Sequence, residues 1–441
     1  MNTIARVIRC APFRAFTACL LLSAVFTVNA SGRTLRVGPE RNYKTIRAAS
    51  QAAADGDIIL IDAGEYRADV TRWDRNDLVV WAPEGRARLI AGGASEEDKG
   101  IWVVDGSNFT ADNIEFSGAR ASDRNGAGVR IRAAGKVTLR NCYFHDNQNG
   151  VLGDAEELVV ESCVFDHNGA GDGKSHNLYV GGASVTIRYC HIQRAVAGHN
   201  IKTRGKTNYI LYNRIMDGAD GTAAYAVEMP DCGRSYVIGN VIEQGPRTGN
   251  ENILSYGAES GKGIKEIYVI NNTFVNNGPP DGAFIKCRRG TEARVVNNIF
   301  YGPGATWVGG NVASSHNYMA TSADNYPRFV DASRYDFHLL PEASRSVIDA
   351  GVSPGVSPTG FDLTPRHEYV YDARSRARPV ENALDIGAFE LTTPAVPPST
   401  AVVRDLPRPE ERPAKLTKNK KTSRSYPARS TKKQASRKPR P

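Results

Sequence analysis

A short signature recurs along this chain and decides what it can fold into. Its copies are Cys142-Tyr143-Phe144, Cys163-Val164-Phe165, Cys190-His191-Ile192, Asn213-Arg214-Ile215, Asn240-Val241-Ile242, Asn272-Thr273-Phe274 and Asn298-Ile299-Phe300. They stand roughly 20 to 30 residues apart, a period that belongs to stacked repeats. In each copy a Cys or Asn lies two residues before a large apolar side chain, and alternation at period two marks a strand. The intervals are too short and too polar for crossover helices. They carry turn residues instead, as in Asp146-Asn147-Gln148-Asn149-Gly150 and His167-Asn168-Gly169. A solenoid of short parallel strands follows, because one turn of such a chain can bury its apolar face only against the turns above and below. The signature positions then stack as ladders, three cysteines followed by four asparagines, with neighbours about 4.8 Å apart.

These asparagine columns resemble the ladders of the pectate-lyase-like superfamily of secreted right-handed parallel β-helix repeat proteins, some of which are polysaccharide lyases. The resemblance covers most of residues 35 to 320. It implies an all-β fold, with a right-handed parallel β-helix over 69–320, an N-terminal cap of helix plus first strand over 31–68, and an irregular C-terminal cap over 321–390. The residues agree with the cap. Ile46, Ala49 and Ala53 share one helical face, Asp55-Gly56 stops the helix, and Asp57 to Ile61 reads as a buried strand. Beyond Pro327 the repeat gives way to segments such as Tyr335 to Leu339 and Asp385 to Glu390, expected to close the last coil. Asp349, Asp362 and Asp385 there are expected to bind backbone in turns.

Charge separates the ends from the middle. The first 30 residues hold Arg6, Arg9 and Arg14, an apolar run from Leu20 to Phe26, and Val28-Asn29-Ala30. That is the pattern of a secretory signal cleaved after Ala30, and it places the protein in a secreted or periplasmic setting. Residues 391–441 carry 14 Lys and Arg against three acids. Removing this +11 and the signal's +3 from the chain's +9 leaves about −5 for the folded part. The basic tail cannot bury enough apolar surface to fold and is expected to be disordered. Its charge suits electrostatic tethering to an acidic surface. Export argues against nucleic acid as a partner, and a monomer is expected. Of seven cysteines, Cys10 and Cys19 leave with the signal. The five that remain include three ladder positions and no Cys-x-x-Cys pair, which points to buried structural thiols and not zinc.

The chemistry collects on a second strand in each coil. Aligning Gly150-Val151-Leu152, Asn177-Leu178-Tyr179, Asn200-Ile201-Lys202, Ala226-Val227-Glu228, Asn252-Ile253-Leu254 and Ala283-Phe284-Ile285 gives an apolar middle column that must face the core. Residues on either side then face out. This brings Tyr179, Lys202, Arg204 and Glu228 together on three consecutive coils, with Asn177, Asn200 and Tyr256 on the same face. His176 and His199 stand at the turn into the strand. The loops 166–174, 217–224 and 245–251 are the expected walls of a groove.

By resemblance to chondroitinase B and alginate lyases, the face implies β-elimination on an acidic polysaccharide. Lys202 is then the base, Arg204 the acid or carboxylate binder, and Tyr179, His176 and His199 the further catalytic candidates. Asn177, Asn200, Glu228 and Tyr256 are candidate substrate contacts. The cofactor implied is calcium, on Glu228 and Asp231. The chain departs from those relatives in placing Lys202 and Arg204 on one strand and in lacking a second carboxylate beside Glu228, whereas calcium takes six to eight oxygens. Tyr179 with a histidine offers a metal-free variant. A hydrolase needs opposed carboxylates, which this face lacks. The alternative is a non-catalytic glycan-binding or surface-structural β-helix protein.

Overall fold

The computed structural model describes residues 32–320, 325–343 and 345–392. The expected signal 1–30 and most of the basic tail 391–441 lie outside the described residues. The chain enters through the strand Thr34–Val37 and the helix Ile46–Ala52. Thr45 caps that helix by accepting the Ala48 N–H, and the Asp69 carboxylate accepts the N–H groups of Ile46 and Arg47. Four otherwise orphaned donors thus shrink to one. Ile46 and Ala49 are fully buried against the first coils.

From there the chain winds into parallel coils. One sheet stacks eleven short strands from Gly64–Arg67 to Tyr318–Ala320, every neighbouring pair parallel. The remaining faces form an 18-stranded sheet. Strands such as Leu178–Arg188 and His199–Leu211 are long because each rounds a corner and serves two faces. Gly182 marks one corner. Its φ is +129°, and a Cβ there would lie 1.6 Å from the Ala155 carbonyl oxygen, so only glycine fits.

The predicted ladders are present. Cys142, Cys163 and Cys190 are buried free thiols, as are Cys232 and Cys287. Asn213, Asn240, Asn272 and Asn298 then each donate amide to amide to the next ladder position at 2.9 to 3.0 Å, the last bond being accepted by Asn317. Each of the first four also donates to a backbone carbonyl of the preceding coil. The residue before each ladder position sits in the left-handed region: φ is 52° at Asn141, 58° at Tyr189, 55° at Tyr212 and 59° at Asn297. One such residue turns the chain between two strands, and the ladder amide satisfies the backbone exposed by the bend. Behind the ladder, Phe116, Phe144 and Phe165 stack at 4.9 and 4.7 Å, each contact worth about 0.5–1.5 kcal/mol beyond area burial.

The segment expected to close the last coil lies elsewhere. Phe329, Phe337, Val347 and Phe389 pack on Val241, Val275 and Ile299, which point outward from the eleven-stranded sheet. Leu363 packs with Tyr212, Tyr236 and Tyr268. This segment therefore runs along the flank of the later coils and covers apolar side chains that would otherwise face water. Its aspartates act in turns: Asp385 accepts the N–H groups of Asp349 and Leu391, and Asp362 that of Thr364.

Candidate functional site

Strand register puts Leu152, Tyr179, Lys202 and Glu228 side by side on successive coils, as the apolar column demands. Leu178, Ile201 and Val227 point inward and are fully buried. Beyond Glu228 the expected alignment slips by one. Leu254, not Ile253, is the partner of Val227, and Ser255 is the partner of Glu228. A one-residue slip exchanges the faces of a strand. Leu254 and Ile285 therefore point inward, and Lys286 follows Ser255 in the outward column.

The slip removes Tyr256 from the candidate substrate contacts. Its ring is 1% exposed, and its hydroxyl meets the carbonyls of Gly233, Ile264 and Glu266. Asn177 and Asn200 also leave the face. Both are fully buried in a second inner ladder, Asn147–Asn168–Asn177–Asn200–Asp217, joined at 2.8 to 3.0 Å. Each stands at a corner, where strand alternation does not yet apply, so the two-residue period assigned them to the wrong side. Burial, with Glu243 nearby, pushes the terminal Asp217 carboxyl up to about 8.

What remains is a compact polar cluster. Lys202 Nζ lies 2.9 Å from Glu228 Oε2 and 3.0 Å from Glu259 Oε1. Arg204 reaches Asp231 at 2.7 Å and Glu259 Oε2 at 2.5 Å, and its Nε donates to the Tyr179 hydroxyl oxygen at 2.9 Å. The Tyr179 ring has Lys202 Nζ 5.5 Å and Arg204 Cζ 5.6 Å from its centroid. Behind it, His176 meets the ring edge-on, and the two histidine rings are 4.5 Å apart. The His199 N–H donates to His176 Nδ1 at 2.9 Å, while His199 Nε2 lies 3.0 Å from Glu228 Oε2. His199 Nδ1 is buried without a partner among the described residues.

Charge sets the protonation states. Burial works against the Lys202 ammonium, but Glu228 and Glu259 more than offset it, and its pKa is raised. Burial likewise opposes the Glu228 carboxylate, yet His199 and Lys202 hold it below its usual range. Desolvation, reinforced by His199, Lys202 and Arg204, pushes His176 down to about 2, so this ring is neutral. With Nδ1 accepting, its proton is on Nε2.

The calcium expected on Glu228 and Asp231 finds no fit. Glu228 is turned to Lys202 and His199, and Asp231 to Arg204 and Ser260. Both carboxylates are already matched to cations. Among the described residues, no group of three His, Cys, Asp or Glu is placed to hold a metal ion.

Glu259 and Ser260 were missed by sequence reasoning. They sit in the loop Gly257-Ala258-Glu259-Ser260-Gly261-Lys262-Gly263, which has no period to align. Its length was the only signal, since it inserts between Tyr256 and the strand Glu266–Ile270. Arg288 anchors this loop by donating to the Gly257 and Glu259 carbonyls at 3.2 Å each.

Comparison with known proteins bears on the fold. The family described as "Right handed beta helix region" matches residues 94–215. No curated protein matches the chain in sequence. Among solved structures, pectate lyase Pel9A superposes with a TM-score of 0.58 at 16% identity, covering 82% of this chain and 97% of that one. A pectin methylesterase from Aspergillus niger covers 71% of this chain and 92% of its own at 12% identity, with a TM-score of only 0.28, too distant to bear on the site. The chain is a right-handed parallel β-helix protein, similar in fold to pectate lyase Pel9A.

Proposed function

We propose that the face around Tyr179, Lys202 and Arg204 binds a uronate-containing polysaccharide and cleaves it by β-elimination. The fold does not choose this chemistry, since one scaffold hosts many. The observation that carries it is Glu259. Its two carboxylate oxygens bridge Lys202 Nζ at 3.0 Å and Arg204 at 2.5 Å. A half-exposed loop carboxylate spanning both cations supports this as the place where a sugar carboxylate would be received. Two cations on one carboxylate neutralise it, and that neutralisation is what makes the adjacent C5 proton removable.

A base must first be free of its own proton. Glu228 and Glu259 favour the ammonium form of Lys202, which supports a reading in which it serves as a cation in place of the base that the resemblance implies. His176 spends its lone pair on the His199 N–H. The free nitrogen of His199 is buried. Tyr179 is left, partly exposed and oriented by Arg204 Nε. In the proposed step Tyr179, its hydroxyl proton first lost to solvent, takes the C5 proton, the C–H electrons form the C4–C5 double bond, and the C4–O bond breaks. The same proton then passes to the leaving oxygen, so no further acid is required.

The test is Tyr179→Phe. It should lower kcat by roughly 10²–10⁴ while KM stays within a few-fold, since the cations that hold the carboxylate remain. Unchanged kcat would remove Tyr179 from the reaction. The ammonium state of Lys202 favours a second reading, in which the face docks acidic glycan without cleaving it. The signal and basic tail fit an exported protein tethered to acidic polymer in either case.

A further inference from the structure

The outward face carries a longer pattern than the central cluster. Register runs from Arg130 through Leu152 and Tyr179 to Lys202, and from Lys202 through Glu228 and Ser255 to Lys286. Each interval is three strand steps, about 14 Å at ~4.8 Å per step. At each of these stations a second cation follows two residues on: Arg130-Ile131-Arg132, Lys202-Thr203-Arg204 and Lys286-Cys287-Arg288. The middle residues Ile131, Thr203 and Cys287 are buried, so both cations of each doublet face out.

The stations differ in how they are satisfied. Lys202 and Arg204 are matched by Glu228, Asp231 and Glu259. Arg132 is matched by Asp105 and Glu97. Arg130 and Lys286 make no ion pair with any described residue, although Asp123 and Asp154 stand near enough to Arg130 to act on its charge. Arg130 is half-buried, and its Nε has no hydrogen-bond partner among the described residues. A guanidinium partly stripped of water, with its Nε left without an acceptor, is costly unless an anion completes it.

We propose that Arg130 and Lys286 are outlying anion-binding positions, so that a linear anionic polysaccharide lies along the solenoid axis across three charge stations spanning about 29 Å, six strand steps of ~4.8 Å. This rests on the central face being the reactive place. It adds a length requirement, because a short oligomer fills the centre alone and a longer one reaches an outer station.

The experiment uses size-defined oligogalacturonates of increasing length on the full chain, with Kd measured for wild type, R130Q, K286Q and the double variant. Wild-type affinity should rise with length, by about tenfold for each outer station reached, as one charge-assisted bond contributes. The double variant should lose that gain and keep the affinity for short oligomers. R130K, which keeps the charge, should recover most of the R130 contribution, and melting curves show that each variant is folded. Affinity that is flat with length, or a gain that survives in the double variant, overturns the proposal. Equal binding of inorganic polyphosphate of matched length also overturns it, in favour of unselective charge. Ultraviolet detection of unsaturated products on the same samples separates the two readings: length-dependent binding without elimination defeats the lyase reading alone.

Discussion

Glu259→Gln isolates the bridging carboxylate while keeping its shape. The wild-type side chain is 46% exposed and touches both Lys202 and Arg204. Exposed pairs of this kind contribute roughly 0–1 kcal/mol, so the melting temperature should move little. Binding is different. A substrate carboxylate must displace Glu259 before it can bridge the two cations, and recovering about 1 kcal/mol corresponds to roughly fivefold in affinity. Glu259→Gln should therefore lower KM for a uronate polymer about fivefold and leave kcat nearly unchanged. Initial rates from the ultraviolet absorbance of unsaturated product, across a range of polymer concentrations, give both constants. The gain should shrink in high salt, which screens the competing pair. A KM that rises instead would mean that Glu259 holds Arg204 in position and does not stand in for substrate, and the account of the bridge would fail.

Other consequences concern the scaffold. Val227→Asp places an unpaired charge in a fully buried column, at a cost of several kcal/mol, and the protein should fail to accumulate in folded form. Asn240→Ala removes amide donors to the Ile210 carbonyl and to Asn272. At about 1–3 kcal/mol per buried group left unmatched, thermal melting should show a clear loss, whereas a melt like wild type would demote the ladder to packing. At His145 burial opposes the charge, but Asp146 and Glu115 outweigh it and push its pKa up to about 9. Because the folded value is raised, its contribution is complete below the unfolded value near 6.5 and disappears as pH climbs through about 9. Stability should fall by up to about 3 kcal/mol across that window, and His145→Gln should flatten the fall in a pH series of chemical denaturation.

The parts of the molecule legible in its sequence were those governed by a short period. Cys142 and Asn213 could be read as ladder positions because each precedes an apolar residue by two and recurs coil after coil. Val227 and Lys202 could be assigned to opposite faces for the same reason. The corners follow no such rule. Asn177 and Asn200 stand where a turn becomes a strand, and their side chains go inward to pair with each other. Ile253 and Leu254 are adjacent and both fully buried, so hydrophobicity alone left the register open by one residue. That ambiguity misplaced Tyr256 and hid Lys286. Glu259 lies in an aperiodic loop, and only its contacts reveal it. The segment after Pro327 showed that the repeat had ended, but not that it would turn back along the flank. That placement depends on which outward positions of the later coils are apolar, namely Val241, Val275 and Ile299.

The central claim is that this face performs elimination beside a uronate carboxylate. The most direct measurement follows ultraviolet absorbance while the full chain acts on a uronate polymer, with the same polymer after reduction of its carboxyl groups as the comparison. The account predicts accumulating C4–C5 double bonds with the native polymer and none with the reduced one, since Lys202 and Arg204 then have no carboxylate to neutralise. Native polymers of every uronate class left uncleaved, or equal cleavage of the reduced polymer, would contradict it.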